Sequence, residues 1–380
     1  MGNSAAIFEI GIILLAAALL GGLARRVGLP AVVGYLALGI VVSPFTPGYV
    51  ADRHQVELLA DVGVVLLLFE VGIEVDLLRL RREQAGLLWA APVQVVASTL
   101  LAGGAMRLAG IALLPALVLG LCVAMSSSVV IVNITRSRRR TTDQPTEVAL
   151  LGWSVLQDVT GVALAAILLA ALGSNGRPLP VTLAGLAVFA GVAAATARLL
   201  PRVLHSIRDQ HDLFLLVSVS SGLVIAGLGT VVFGIPLALA AFVAGLAIAE
   251  DPTTTEVRRR LLPFRDLFAV LFFVAVGMLL DPAHLARGLP WLALFLGLIL
   301  AAKVVLAYGL VRIARLPARA LQLALGLGQV GEFSFVLGSA LVATGAIDDS
   351  VYVALVAAVA VSIAASAVAV RLVHAPAVAA

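Results

Sequence analysis

The sequence predicts an all-α polytopic membrane protein of about thirteen spanning helices, and three observations carry that expectation. Of its 380 residues, 62% are hydrophobic and only 12% charged, whereas roughly a quarter of a water-soluble chain is charged. Apolar runs of roughly 17 to 25 residues recur from end to end, each long enough to cross a hydrocarbon core of about 30 Å as a helix. The arginines, finally, fall mainly in alternate connections, the asymmetry of a chain oriented by its positive loops.

Charged residues and Pro/Gly breaks divide the apolar runs into helices over 5 to 24, 30 to 43, 56 to 75, 85 to 106, 111 to 134, 147 to 173, 179 to 199, 212 to 230, 234 to 249, 264 to 280, 290 to 311, 320 to 344 and 350 to 372. The first run holds Glu9 and no basic residue before Arg25, so it reads as a span and not as a cleaved leader. The fifth carries three serines at its middle and the sixth a single carboxylate. The eleventh has a lysine at its centre, and the twelfth is broken by glycines. Connections after odd-numbered helices, with the C-terminal tail, hold nineteen arginines, among them Arg136, Arg138, Arg139 and Arg140; the others hold Arg53, Arg107, Arg177 and Arg287. That bias puts the N-terminus outside and the C-terminus in the cytoplasm.

Several function classes drop out. The net charge of +4 is spread over many short loops, so no basic patch invites nucleic acid. Cys122 is the only cysteine and has no disulfide partner. His54, His205, His211, His284 and His374 lie in loops or at ends without ligand spacing. No phosphate-binding loop, metal-hydrolase motif or nucleophile elbow is present, so neither an enzyme nor a cofactor is expected.

The second half echoes the first. PAVVGYLALG at residues 30 to 39 matches PLALAAFVAG at 236 to 245, an offset of 206. LLLFEVGIEVD at 66 to 76 matches LFFVAVGMLLD at 271 to 281, an offset of 205. These pairings shift helix 2 onto helix 9 and helix 3 onto helix 10. An odd shift reverses direction through the membrane, which predicts inverted repeats of helices 1 to 6 and 8 to 13 with helix 7 as a linker, an arrangement of secondary transporters.

Asp158 is the only charge in the run 148 to 172. A carboxylate at that depth costs about 2.5 to 3.5 kcal/mol on insertion scales, so a bound ion is the default reading. Gln157 stands beside it and Ser154 one turn before it; carboxylate, amide and hydroxyl oxygens suit an alkali cation or a proton. Lys303 is the sole lysine, set at mid-membrane, and needs an anionic or carbonyl partner. Ser126, Ser127 and Ser128 loosen the fifth helix by competing for its backbone. Gln329, Gly331 and Glu332 fall in the corresponding break of the twelfth, since Ser126 and Gly331 are related by the offset of 205. Corresponding breaks in two inverted halves point to a transport site. Glu70 and Glu74 share a face of helix 3 near its cytoplasmic end, and are expected to reach the interface or pair with loop arginines. Arg265 is expected at the interface as well.

Taken in order, LLLFEVGIEVD, the serine triplet, LQD at 156 to 158, Lys303 and GQVGEFSFV at 328 to 336 resemble the membrane domain of the Kef-type branch of the monovalent cation:proton antiporter superfamily. The resemblance covers nearly the whole chain and implies the NhaA-like fold. It implies a homodimer in the lipid bilayer of a bacterial inner membrane. A dimerisation subdomain would take about 1–80 and 205–282, and a mobile core 85–173 and 290–373, with 179–199 as linker. The core would move like an elevator and expose Asp158 to each side in turn. In relatives with two adjacent aspartates the first is thought to pair with the lysine. Gln157 occupies that position, so Lys303 is expected to bond Glu332 or a carbonyl at the crossing. The Gln-Asp pair is associated with potassium, so electroneutral K+/H+ exchange is expected; Na+/H+ exchange and a ligand-gated K+ efflux system are the alternatives. Kef-type proteins usually carry a cytoplasmic nucleotide-binding domain. No glycine-rich fingerprint occurs before Ala380, so a stand-alone exchanger, or one whose regulatory domain is separate or missing, is expected.

Overall fold

The structure is a computed structural model that describes residues 3–46, 53–73, 86–128, 130–131, 142–172, 179–233, 235, 237–246 and 254–373. Every regular element among them is helical. In chain order these are α1 (Asn3–Arg26), α2 (Ala31–Val41), α3 (Arg53–Ile73), α4 (Leu87–Leu108), α5 (Leu113–Ala124), α6 (Gln144–Leu172), α7 (Leu179–Ser206) and α8 (His211–Val231). There follow α9 (Leu237–Leu246), α10 (Thr254–Met278), α11 (Pro282–Leu298), a π-helical stretch (Ile299–Val305), α12 (Leu306–Ile313), α13 (Ala320–Leu327), α14 (Phe333–Ala343) and α15 (Asp349–Leu372). Eight helical segments among the described residues are long and apolar enough to cross a membrane; α2, α5 and α14 are shorter apolar helices.

The chain divides into two compact units. The first comprises Met1–Leu19, Tyr35–Leu77 and Leu169–Leu279. It is stitched by close backbone crossings at four glycines. A side chain on Gly39 would stand 2.2 Å from the Val274 carbonyl oxygen, and one on Gly277 2.3 Å from that of Leu36. The same happens between α3 and α9, where Gly72 meets the Phe242 carbonyl at 2.3 Å and Gly245 that of Phe69 at 2.1 Å. Only glycine permits these approaches, the small-residue packing of membrane helices.

Within this unit α10 begins at Thr254, ten residues ahead of the expected start at 264. Its first turns are charged, so a hydropathy reading cut them off. Their charges are compensated sideways: Glu70 on α3, 1% exposed, accepts from Arg258 Nε at 2.6 Å and Arg265 Nη1 at 2.8 Å. Arg265 also pairs with Asp266. Glu256 holds Arg260 at 2.6 Å, and the Arg260 guanidinium lies 4.4 Å from the centroid of the Phe214 ring. Glu70 therefore pairs with arginines as expected, but with helical ones of α10 and not with loop arginines, and the Arg265 side chain is 16% exposed. Glu74 lies outside the described residues.

The second unit comprises Leu20–Gly34, Leu78–Leu168 and Leu280–Ala380. Its core joins α4, α6, α12 and α13 through Leu87, Ala90, Leu150, Trp153, Leu310 and Leu323. Asp143 starts α6 by accepting from Thr146 N at 3.0 Å, the bond a helix N-terminus needs. It also pairs with Arg319 at 2.9 Å, while Arg319 N donates to Thr146 Oγ1 at 2.9 Å. The starts of α6 and α13 are thereby fixed to each other. At α11 the Asp281 carboxylate accepts from Ala283 N at 2.8 Å with Pro282 in the first turn, so this helix also starts before the expected 290.

Candidate functional site

Helix α5 stops at Ala124 because Met125 turns to an extended conformation, φ −89° and ψ 141°. The chain is helical again at Ser128, and Ser127 caps the restart by accepting from Val130 N at 3.3 Å through its hydroxyl. Helix α13 stops at Leu327, and α14 starts at Phe333 after Gly328 to Glu332. The serines compete with helical bonding and the glycines weaken it.

The two interruptions are sewn together by hydrogen bonds. Gly331 N donates to the Met125 carbonyl at 3.1 Å, and Ser126 Oγ to the Leu327 carbonyl at 2.9 Å. The Gln329 side chain holds the backbone of Ser127 from both sides, accepting from its N–H at 3.0 Å and donating to its carbonyl at 3.1 Å. A Cβ on Gly331 would lie 2.8 Å from the Ser126 carbonyl oxygen, so the backbones touch only because that residue is glycine.

Lys303 completes the crossing. Fully buried in the π-helical stretch, its Nζ donates to the Met125 carbonyl at 2.8 Å and the Gln329 carbonyl at 2.5 Å. Among the described residues it makes no ion pair. Of the two partners expected for it, Lys303 thus takes crossover carbonyls. Both lie at or just past the C-terminal end of a half-helix, where the backbone dipole favours a cation. A π-helical stretch in an α-helix is itself a frequent mark of a functional site.

Helix α6 brings its own polar residues to the same break. Gln157 Nε2 donates to the Gln94 amide oxygen and lies 3.4 Å from the Ala124 carbonyl. Asp158 follows it, 2% exposed. Ser154 is buried one turn earlier and gives its hydroxyl proton to the Leu151 carbonyl of its own helix at 3.0 Å. Glu332 is buried at the start of α14, and Ser128 at the restart of the first broken helix. Ser126, Ser127, Gln329, Gly331, Lys303 and Gln157 thus meet around residues 124 to 127. Ser154 directs its bond into α6.

Two buried residues escaped the sequence reading. Gln94 and Ser98 on α4 are fully buried. Gln94 accepts from the Trp153 indole at 3.3 Å and donates to Ser98 at 2.9 Å; Ser98 in turn donates to the Ala302 carbonyl, inside the π-helical stretch, at 2.5 Å. A Gln and a Ser at i and i+4 put two polar groups on one face of an apolar helix, and that was the signal.

Residues 12–373 match the family model described as sodium/hydrogen exchanger, transmembrane. The chain is 34% identical over 339 residues to the putative cation/proton antiporter YbaL of Escherichia coli (strain K12); the match takes in 85% of this chain and 60% of that protein, so the chain spans less than two thirds of this relative's length. The fold is similar to that of the sodium proton antiporter MjNhaP1 from Methanocaldococcus jannaschii at pH 8, with a TM-score of 0.74 at 16% identity over 98% of each chain. A second structure of MjNhaP1, an electron-microscopy map, gives a TM-score of 0.62 at 16% identity, over 94% of this chain and 96% of that one.

Proposed function

The chain belongs to the sodium/hydrogen exchanger family, and from that premise we propose that it is a secondary active monovalent cation/proton antiporter in which Asp158 carries cation and proton alternately. One observation supports this most: Lys303 and Gln157, the neighbour of Asp158, both bond carbonyls of the same interruption, Met125 and Ala124. A carboxylate beside such a break has backbone oxygens and half-helix ends for company and little water, the setting in which an alkali cation and a proton compete for one site.

Asp158 as the one exchanging carboxylate, with Gln157 in place of a second beside it, supports one-for-one, electroneutral exchange with Lys303 charged throughout. Gln157, Ser154 and the serine triplet supply neutral oxygens for the cation. K+ is the proposed cargo: a shell with a single negative charge and amide or hydroxyl oxygens suits an ion that gives up its water easily. In the same proposal all thirteen apolar runs cross the membrane, N-terminus outside. The glycine crossings of Gly39 with Gly277 and of Gly72 with Gly245 support the inverted repeat, because the two contacts exchange the repeated words. The unit holding the crossing is the mobile core of an elevator, and the other the scaffold of a homodimer in a bacterial inner membrane.

The test is exchange in proteoliposomes, read with a pH-sensitive dye against Li+, Na+, K+ and Rb+ in turn. Wild type is expected to respond to K+ and Rb+ above Na+, and Asp158→Asn to none. Wild-type exchange by Asp158→Asn overturns the assignment. A preference for Na+ leaves the antiporter and removes the K+ reading.

A further inference from the structure

The hydrogen-bond network on α4 decides which end of the Gln157 amide is available to an ion. Its outer members have no choice of role: the Trp153 indole N–H only donates, and the carbonyls of Ala124 and Ala302 only accept. Trp153 Nε1 lies 3.3 Å from one end of the Gln94 amide, so that end is oxygen. The other end is nitrogen, donating to Ser98 Oγ at 2.9 Å and the Ala124 carbonyl at 3.3 Å. Ser98 can accept because its own proton goes to the Ala302 carbonyl at 2.5 Å. Gln157 therefore meets two acceptors, the Gln94 oxygen and the Ala124 carbonyl, and must turn its nitrogen to them.

What remains is the Gln157 oxygen, which is buried and has no hydrogen-bond partner among the described residues. A buried acceptor without a donor is costly unless something occupies it. Reversed, the same amide would offer N–H hydrogens to a cation and repel it.

We infer that Gln94 is a positioning residue for cation binding: anchored by Trp153 and Ser98, it holds the Gln157 amide so that its oxygen ligates the monovalent cation beside Asp158. This rests on the reading of Asp158 as the cation site. Gln94 touches no ion itself. It sets affinity by removing the amide's freedom to flip.

Initial exchange rates of the full chain in proteoliposomes, measured against K+ concentration at fixed pH, test the assignment. Gln94→Met keeps length and loses every bond, so the apparent KM for K+ is expected to rise about tenfold, the weight of one lost contact to a charge, with kcat nearly unchanged. Gln94→Glu, buried and protonated, can still accept from Trp153 and Gln157 and donate to Ser98, so it should restore most of the wild-type KM. A purely structural role would lower kcat or the amount of folded protein and leave KM alone; that result, or a wild-type KM in Gln94→Met, overturns the inference. Should Gln94→Met not fold, Trp153→Phe removes one anchor and must raise KM in the same direction, an unchanged KM again being fatal. Asp158→Asn run in parallel separates the two readings. If it is dead while Gln94→Met has a wild-type KM, only the role of Gln94 falls; if it is active, the cation site itself is wrong.

Discussion

Two cationic centres in this molecule are held by different means. In the first unit Arg258 and Arg265 share the carboxylate of Glu70. In the second, Lys303 is held by two carbonyl oxygens. Glu70, with Asp266 on Arg265, answers the guanidinium charges within the cluster and fixes it. Carbonyl dipoles satisfy the ammonium hydrogens but leave its net charge standing, and in the proposed cycle Asp158 and its changing cargo answer that charge. Burial of a charge is thus poor evidence of function until its partner is known.

Substitutions should pull the two centres apart. Glu70→Gln takes the shared carboxylate from both guanidinium groups and leaves Arg265 its pair with Asp266, a loss of about 3 kcal/mol, at the lower end for a broken buried pair, because Arg258 is 29% exposed. The thermal midpoint in detergent should fall steeply, while the protein that remains folded exchanges near the wild-type rate. Lys303→Met should do the reverse. Met125 keeps a donor in Gly331 N, so mainly the Gln329 carbonyl is orphaned, costing about 1 to 3 kcal/mol against which the relief of a buried charge is set. Its midpoint should move less than that of Glu70→Gln, yet exchange should drop by an order of magnitude or more. Equal losses of stability and transport in both variants would erase the distinction.

Glycines sharpen the contrast on a smaller scale. Gly72→Ala and Gly331→Ala each force a methyl against backbone, at 2.3 Å from the Phe242 carbonyl and 2.8 Å from that of Ser126. Overpacking of this kind costs about 1 to 3 kcal/mol. Expression and melting should register it for Gly72→Ala, and exchange rate for Gly331→Ala. The least effect belongs to Asp281, in neither centre. Its carboxyl is held below the usual carboxylate range by the His284 imidazole foremost, against an opposing push from burial, with the Ala283 N–H adding to the lowering. A depressed carboxylate stabilises the fold above its unfolded pKa and loses that contribution as the pH falls through the folded value. Asp281→Ala should therefore melt slightly earlier than wild type at neutral pH, and the two should converge in acid.

The sequence made the second centre more legible than the first. Asp158, Lys303 and the serines stood out because each is polar where its surroundings are apolar, and the glycine break because it interrupts a helix; such residues carry information in a membrane chain. Arg258 to Arg260 looked like a loop, because a window of hydropathy cannot tell a charged loop from a charged helix whose partner sits on another element. Glu70 supplied that partner from 188 residues away in sequence from Arg258. Gln94 and Ser98 carry only an i, i+4 polar pair as their signal, and their role depends on α4 meeting α6, which no local pattern encodes. The π-helical stretch around Lys303 left no trace in composition. Within it the Ala302 carbonyl accepts from Ser98.

The central claim is that cation and proton use the same carboxylate in turn. Its most direct test is the apparent KM for K+ measured in proteoliposomes across a series of pH values. Competition at Asp158 predicts that KM rises in proportion to proton concentration, up to about tenfold per pH unit, while the rate at saturating K+ is unchanged. A KM that stays constant with pH while the saturated rate falls would mean separate sites for the two ions, and would contradict the account.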